Sequence, residues 1–259
     1  MGWLSEASLK AMKTKPAKQS KTIVQFWHHD ALPLEIDKRI QCWKEFNPGW
    51  KHELFHRATA AEYLARVYGS SVSEAFLDIR LPAMMADVFR VARLFAGSGV
   101  YVDAATICNA PLSTWLPRKS KLLLLAKQHM DPRYNCANGF IYARKPRHPF
   151  MGSLWRRIRL LILARKGTCT WSHFGPELYW EMLANERLRA SVDILPLGEL
   201  KNKIQFSSSS KILPSEQHWS KQQGKSESLY FEHRSRSLPA QLRKLHARFT
   251  LLVQGVRVP

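Results

Sequence analysis

Three residues of this chain could act together: Asp87, Arg90 and Asp103. Asp87 and Arg90 stand three apart in an amphipathic run, so a helix would bring their side chains onto one face, where they can meet. Such a pair can be a surface ion pair. This one falls beside an otherwise apolar face rather than inside a charge run, which favours a functional reading. Asp103 closes the short apolar run GVYVD. Desolvating a carboxylate is costly, so an acid at the tip of a buried strand faces a ligand, a metal or a satisfied turn.

The elements that must position these residues can be read from periodicity. LPAMMADVFRVARLFAGSG (81–99) predicts a helix, with Pro82 in its first turn and Met85, Val88, Leu94 and Phe95 on an apolar face. VYVDAAT then reads as a strand. Period two along it would put Asp103 and Ala105 on one face and turn Thr106 away.

Upstream, TIVQFWHH (22–29) predicts a strand, and LEIDKRIQCWKEF a helix opened by Pro33. NPGW (47–50) reads as a turn, KHELF (51–55) as a strand, and ATAAEYLARVYG (58–69) as a helix with a glycine stop. Downstream, KLLLLAKQ (121–128), NGFIYARK (138–145) and VDILPL (192–197) predict strands, with a turn at 131–135. Helices are expected over 148–167 and 175–188. Strands alternating with helices indicate an α/β sheet with helical crossovers. Four segments are expected: a basic disordered tail over 1–21, a core over 22–200, a Ser- and Lys-rich loop or mobile lid over 201–228, and a C-terminal segment over 229–259 whose residues 237–254 form a basic amphipathic helix.

Composition sets the class of partner. The 259 residues hold 40 Lys and Arg against 20 Asp and Glu, a net charge of +20. This attracts polyanions: nucleic acid, an anionic membrane surface or phosphate-bearing substrates. No zinc-finger, RNA-recognition or helix-turn-helix signature is evident, which argues against nucleic acid. No run reaches the ~18–20 apolar residues of a membrane-spanning helix, and the N-terminal residues lack the apolar stretch of a secretory leader. The four cysteines (42, 108, 136 and 169) form no CxxC pair. That argues against a zinc site or disulfide framework and points to a reducing cytoplasm, with attachment to the inner face of the membrane through basic residues.

From about residue 22 to 185 the chain resembles glycosyltransferase family 32, the group of Och1-like mannosyltransferases and bacterial capsular-polysaccharide sugar transferases. The pieces come in order: IVQFW, WKEFNPGW, ADVFR, GSGVYVDAA followed by Pro111 and Leu112, NGFIYARKPRHP, and FGPEL.

The resemblance implies a GT-A-like fold, a mixed and mostly parallel sheet between helices. It implies a sugar donor at the carboxyl ends of the strands, as is general for open α/β sheets. The activity implied is hexosyl transfer, with retention, from a UDP- or GDP-sugar to a glycan or lipid-linked acceptor hydroxyl in capsular or lipopolysaccharide synthesis. Mn²⁺ or Mg²⁺ would neutralise the leaving diphosphate. Asp103 would ligate that metal or touch the donor ribose. Asp87 and Arg90 would hold sugar hydroxyls. Trp27 would stack on the base, unless it is an ordinary core tryptophan; Gln25 lies on the same strand face. Gly99, in a Ser98–Gly99 pair where Gly–Gly is usual, would permit the tight turn before Tyr101. Asn138 would bind donor or acceptor hydroxyls, or else begin a turn.

One departure stands out. The family pattern has two aspartates, D-x-D, and the second is Ala105 here. His233, then His218, are the candidate distal metal ligands. Loss of the second carboxylate leaves three readings: a metal held by Asp103 and diphosphate oxygens, Lys or Arg in place of the metal, or a non-catalytic binding protein.

Overall fold

The computed structural model describes residues 21–127, 135–206 and 228–231. Its strands are β1 (Thr22–Phe26), β2 (Lys51–Phe55), β3 (Gly99–Val102), β4 (Ile107–Cys108), β5 (Leu122–Ala126), β6 (Cys136–Ala143), β7 (Asp193–Pro196) and β8 (Ile204–Gln205). Its helices are α1 (Leu34–Phe46), α2 (Arg57–Tyr68), α3 (Ser70–Leu77), α4 (Pro82–Ala96), α5 (Pro149–Leu163), α6 (Thr170–His173), α7 (Pro176–Leu183) and α8 (Glu186–Arg189).

Six strands form one sheet in the order β2-β1-β3-β6-β5-β7, and β4 and β8 form a separate two-stranded ribbon. β1 pairs in parallel with β2 and β3, and β5 with β7; β6 runs antiparallel to β3 and β5. The expected mixed, mostly parallel sheet between helices is therefore present.

Strand alternation sorts the core into two layers. Val24, Phe26, Tyr101, Leu124 and Ile141 face α2, α3, α4, α5 and α7. Ile23, Val100, Val102, Leu123 and Phe140 face the other way, toward Trp43 of α1. Helix α4 lies inside the first layer and is buried on most sides, including at Asp87, Arg90 and Arg93. A charged pair read beside an apolar face is thus an interior pair.

The structure corrects several boundaries. β1 stops at Phe26: the Trp27 N–H still bonds the Phe55 carbonyl, and the chain then bends at His28. β3 stops at Val102 rather than running through Thr106. The Thr106 amide donates to the Asp103 carbonyl at 2.9 Å and closes a turn over 103–106. Strand parity therefore does not apply at Ala105 and Thr106. The helix expected over 175–188 is two helices, α7 and α8, with Asn185 capping the second through its side chain. Helix α3 was not expected. Residues 204–205 pair with 107–108. The tail over 1–20, residues 207–227, the C-terminal helix expected over 237–254, and both His218 and His233 lie outside the described residues.

Candidate functional site

The site is built where α4 passes behind the carboxyl end of β3. Asp87 and Arg90 are one turn apart on α4 and point at the sheet, with side chains only 8% and 5% exposed. β3 delivers Asp103 just past its last residue, and the Asp103 amide bonds the Gly139 carbonyl of β6 at 2.9 Å. β6 carries Asn138. Cys136 and Ile141 both face α4 although they are five residues apart. The alternation of β6 therefore slips between them, which lets Asn138 face the helix as well.

Arg90 is the hub. It donates to the Asn138 carbonyl at 2.7 Å and to Asp103 Oδ1 at 2.9 Å, and lies 3.3 Å from Asp87 Oδ1. Its guanidinium also sits over the Tyr101 ring, 4.9 Å from the centroid. The Asn138 side-chain amide donates to Asp87 Oδ1 at 2.8 Å, so the Asp87–Arg90 pair is locked from both elements. The Tyr101 hydroxyl is buried beside the Asp103 carboxylate, which it helps to hold in its charged form, and the Tyr179 hydroxyl is buried without a hydrogen-bond partner among the described residues.

The electrostatics follow from two carboxylates sharing one guanidinium. Burial pushes the Asp87 carboxyl up to about 7, against the pull of Arg90, and Asp103 adds to the rise. Desolvation of its inner side raises Asp103 also, with Arg90 opposing. Burial penalises the Arg90 charge most, but Asp103, Tyr101, Asp87 and Tyr179 together outweigh this and keep it protonated. Asp103 is the open member, its side chain 39% exposed. The cluster can thus present one carboxylate, oriented by a buried cation, to polar groups of a ligand.

The structure brings Asp87, Arg90, Tyr101, Asp103 and Asn138 together. Gln25 and Trp27 lie on the opposite face of the sheet, by parity with Ile23. The Gln25 side-chain carbonyl is 2.6 Å from His52 Nε2. Trp27 is 8% exposed and packs with Ile36, Ile40 and Ala104. Gly99 stands at the other end of β3 from Asp103. Its φ is +117°, and a Cβ there would come within 2.4 Å of the Thr22 carbonyl oxygen. Its requirement for glycine is a close approach between β1 and β3.

Sequence reading missed Gly139. A Cβ on it would lie 2.6 Å from Asp103 Oδ2 and 2.9 Å from the Phe206 ring. The Asn–Gly dipeptide was the only signal. It also missed the clamp that α1 places on the segment after Asp103. Arg39 Nη1 donates to the Ala105 carbonyl at 2.5 Å, and Trp43 Nε1 to the Thr106 carbonyl at 3.0 Å. Asn47, the C-cap of α1, accepts the Leu112 amide at 2.8 Å. The W-x-x-x-N spacing carried that signal.

Residues 33–122 match the family model described as a glycosyltransferase sugar-binding region containing a DXD motif. That span holds Asp87, Arg90 and Asp103. Residues 33–122 are thus similar to a sugar-binding region of the DXD glycosyltransferase type. The matched region lies within the stretch that resembles glycosyltransferase family 32, and the α1 clamp falls inside it too.

Two curated relatives extend the likeness. An initiation-specific alpha-1,6-mannosyltransferase of Schizosaccharomyces pombe is 27% identical over 147 residues, covering 50% of this chain and 37% of that enzyme. The enzyme of the same name from Candida albicans is 28% identical over 109 residues, 40% and 28% of the two lengths. The matches thus span about a third of these relatives. Among solved structures, the PaToxG glycosyltransferase superposes with a TM-score of 0.50 at 13% identity, over 84% of this chain and 91% of that one. The fold around the matched region is therefore GT-A-like.

A divalent cation fits the described residues poorly. Asp103 Oδ1 is taken by Arg90, Oδ2 packs against Gly139, and position 105 offers a methyl group. Among the described residues no three His, Cys, Asp or Glu side chains come together as a metal site.

Proposed function

We propose that this chain transfers a hexose from a nucleotide-sugar donor to an acceptor hydroxyl. The observation that carries the reading is the Asp87–Arg90–Asp103 cluster, inside the matched sugar-binding region and at the strand ends where open α/β sheets take ligands. Asp103 accepts hydrogen bonds from donor hydroxyls. Arg90 fixes its orientation and supplies a buried positive charge near the developing leaving group. Asp87 and Asn138 hold Arg90 so that little reorganisation is needed on binding.

The mannosyltransferase relatives favour a GDP- or UDP-hexose as donor and a glycan, free or lipid-linked, as acceptor. Surface polysaccharide synthesis, retention at the anomeric carbon, and work at the cytoplasmic face of an anionic membrane belong to the same proposal. The net charge of +20 supports the membrane part. No helix among the described residues is long and apolar enough to cross a membrane.

The test is calorimetric titration of the full chain with a panel of UDP- and GDP-sugars, followed by turnover with glycan acceptors. One donor should bind and be consumed, and Asp103→Ala should lose both. Donor binding and turnover unchanged in Asp103→Ala would refute the assignment. NMR of the product anomer then decides retention.

Ala105 favours a second reading, a sugar-nucleotide-binding protein without transferase activity. It expects donor binding with no turnover of any donor.

A further inference from the structure

The missing second carboxylate of the D-x-D pattern is met in this structure by a cation. Position 105 is alanine, and its backbone carbonyl accepts from Arg39 Nη1 at 2.5 Å. Arg39 is half-buried and forms no ion pair with a carboxylate among the described residues. The neighbouring acid on its own helix is already used: Glu35 pairs with Lys38 at 2.8 Å. The guanidinium spends one of its five donors on Ala105.

The charge balance is the central point. An aspartate holding a divalent cation contributes one net positive charge. An alanine with an arginine beside it contributes the same. Arg39 is also pre-positioned. Trp43 and Asn47 tie the same helix to Thr106 and Leu112, and the Cys108 amide lies 3.2 Å from Cys42 Sγ. Helix α1 and the segment after Asp103 therefore form one unit, which keeps the guanidinium next to the strand tip at low entropic cost.

We infer that Arg39 binds the donor diphosphate in the role a metal ion fills where the second aspartate is present, so that nucleoside diphosphate binding needs no divalent cation. This inference rests on the proposed nucleotide-sugar site. The donors left on the guanidinium suit two phosphate oxygens.

The experiment titrates UDP and GDP, and their monophosphates, into the full chain with EDTA and with Mn²⁺. Diphosphate affinity of the parent should differ by less than about twofold between the two conditions, as expected for a site with no metal in its binding equilibrium. Arg39→Ala should weaken diphosphate binding about tenfold or more, the worth of a lost charge-assisted contact, and monophosphate binding much less. Arg39→Lys keeps the charge and should recover part of the loss, which separates binding from folding. The double variant Ala105→Asp, Arg39→Ala should bind the diphosphate better with Mn²⁺ than with EDTA.

Loss of parent binding in EDTA would overturn the inference. So would an Arg39→Ala chain that binds diphosphate as the parent does while Asp103→Ala binds it weakly; that pair of results would leave the nucleotide-sugar reading standing. A parent that binds no nucleoside diphosphate under either condition would overturn both.

Discussion

Gly139 leaves the space of its side chain to the Asp103 carboxylate. A Cβ built on Gly139 would stand 2.6 Å from Asp103 Oδ2, closer than any real contact of that kind. The two residues are also joined by the Asp103 amide and the Gly139 carbonyl at 2.9 Å. The backbone of β6 thus forms one wall of the carboxylate's seat, and Arg90 forms another.

Gly139→Ala should consequently displace the carboxylate rather than the strand, since the backbone bond resists movement. Asp103 must rotate and weaken its 2.9 Å contact with Arg90. We expect donor binding to fall at least about tenfold, the loss expected when an oriented charged contact is disturbed. Stability should fall by about 1–3 kcal/mol, typical of overpacking. Calorimetry and thermal unfolding read the two effects. Unchanged donor affinity in a folded Gly139→Ala chain would show that the seat does not matter.

Asp87 predicts a pH dependence with a defined sign. Its carboxyl is raised from the ordinary 3.8 to about 7 by burial. Between about pH 4 and pH 7 the folded chain holds a proton here that the unfolded chain has released. The contribution of Asp87 to stability therefore falls as pH rises through that window and is level on either side. Asp87→Asn mimics the protonated form and should remove this slope. The measurement is urea unfolding of parent and variant at several pH values. A parent that gains stability relative to Asp87→Asn on going from pH 4 to pH 7 would reverse the sign and refute it.

The strand–helix order was legible because each element carries its own period. Ile36, Ile40 and Trp43 marked α1, and all three are buried. Helix α3 was lost because Gly69, at φ +94°, was read as a stop. It also serves as the N-cap of the next helix. The spacing of Val72, Ala75, Phe76 and Ile79 did hold the signal, and all are buried. In the site, Asp87, Arg90 and Asp103 were legible as acids and a base at helical and strand-tip positions. Their union around one guanidinium was not, since it depends on a slip in β6 and on a turn that begins at Asp103. Both are decided by long-range packing, which no local window of sequence contains. For the same reason the packing of Trp27 on α1 and on Ala104, next to Asp103, and the contact of Gln25 with His52 were not legible in the sequence.

Gly99 should be the most demanding glycine for folding. Its φ of +117° is strained for any L side chain, and the Thr22 carbonyl oxygen would be 2.4 Å from an added Cβ. The clash is with backbone and cannot be relieved by a rotamer change. Gly99→Ala should cost about 1–3 kcal/mol from the dihedral angle alone, with the clash in addition. Any fall in donor affinity should be recovered wherever the folded fraction is recovered, because Gly99 lies at the far end of β3 from Asp103. Denaturant titration alongside calorimetry at low temperature checks this. A variant as stable as the parent would contradict the close approach of β1 and β3.

Asn47 offers the cleanest separation of the α1 clamp from the carboxylate cluster. Its Oδ1 accepts the Leu112 amide at 2.8 Å, and its Nδ2 donates to the Trp43 carbonyl at 3.0 Å. Both Asn47 and Leu112 are buried, so Asn47→Ala leaves a buried amide without an acceptor. That penalty is about 1–3 kcal/mol. Asn47→Asp keeps the acceptor for Leu112 but loses the donation to Trp43 and places a carboxylate in the core. It should be destabilised at neutral pH and should regain stability as the medium is acidified, which Asn47→Ala should not. Neither change touches Arg90, so the Asp87–Arg90–Asp103 contacts should survive in the folded fraction. Thermal unfolding of both variants across pH 5 to 8 gives the comparison. Equal stability of Asn47→Ala and the parent would mean that the segment after Asp103 holds its place without helix α1.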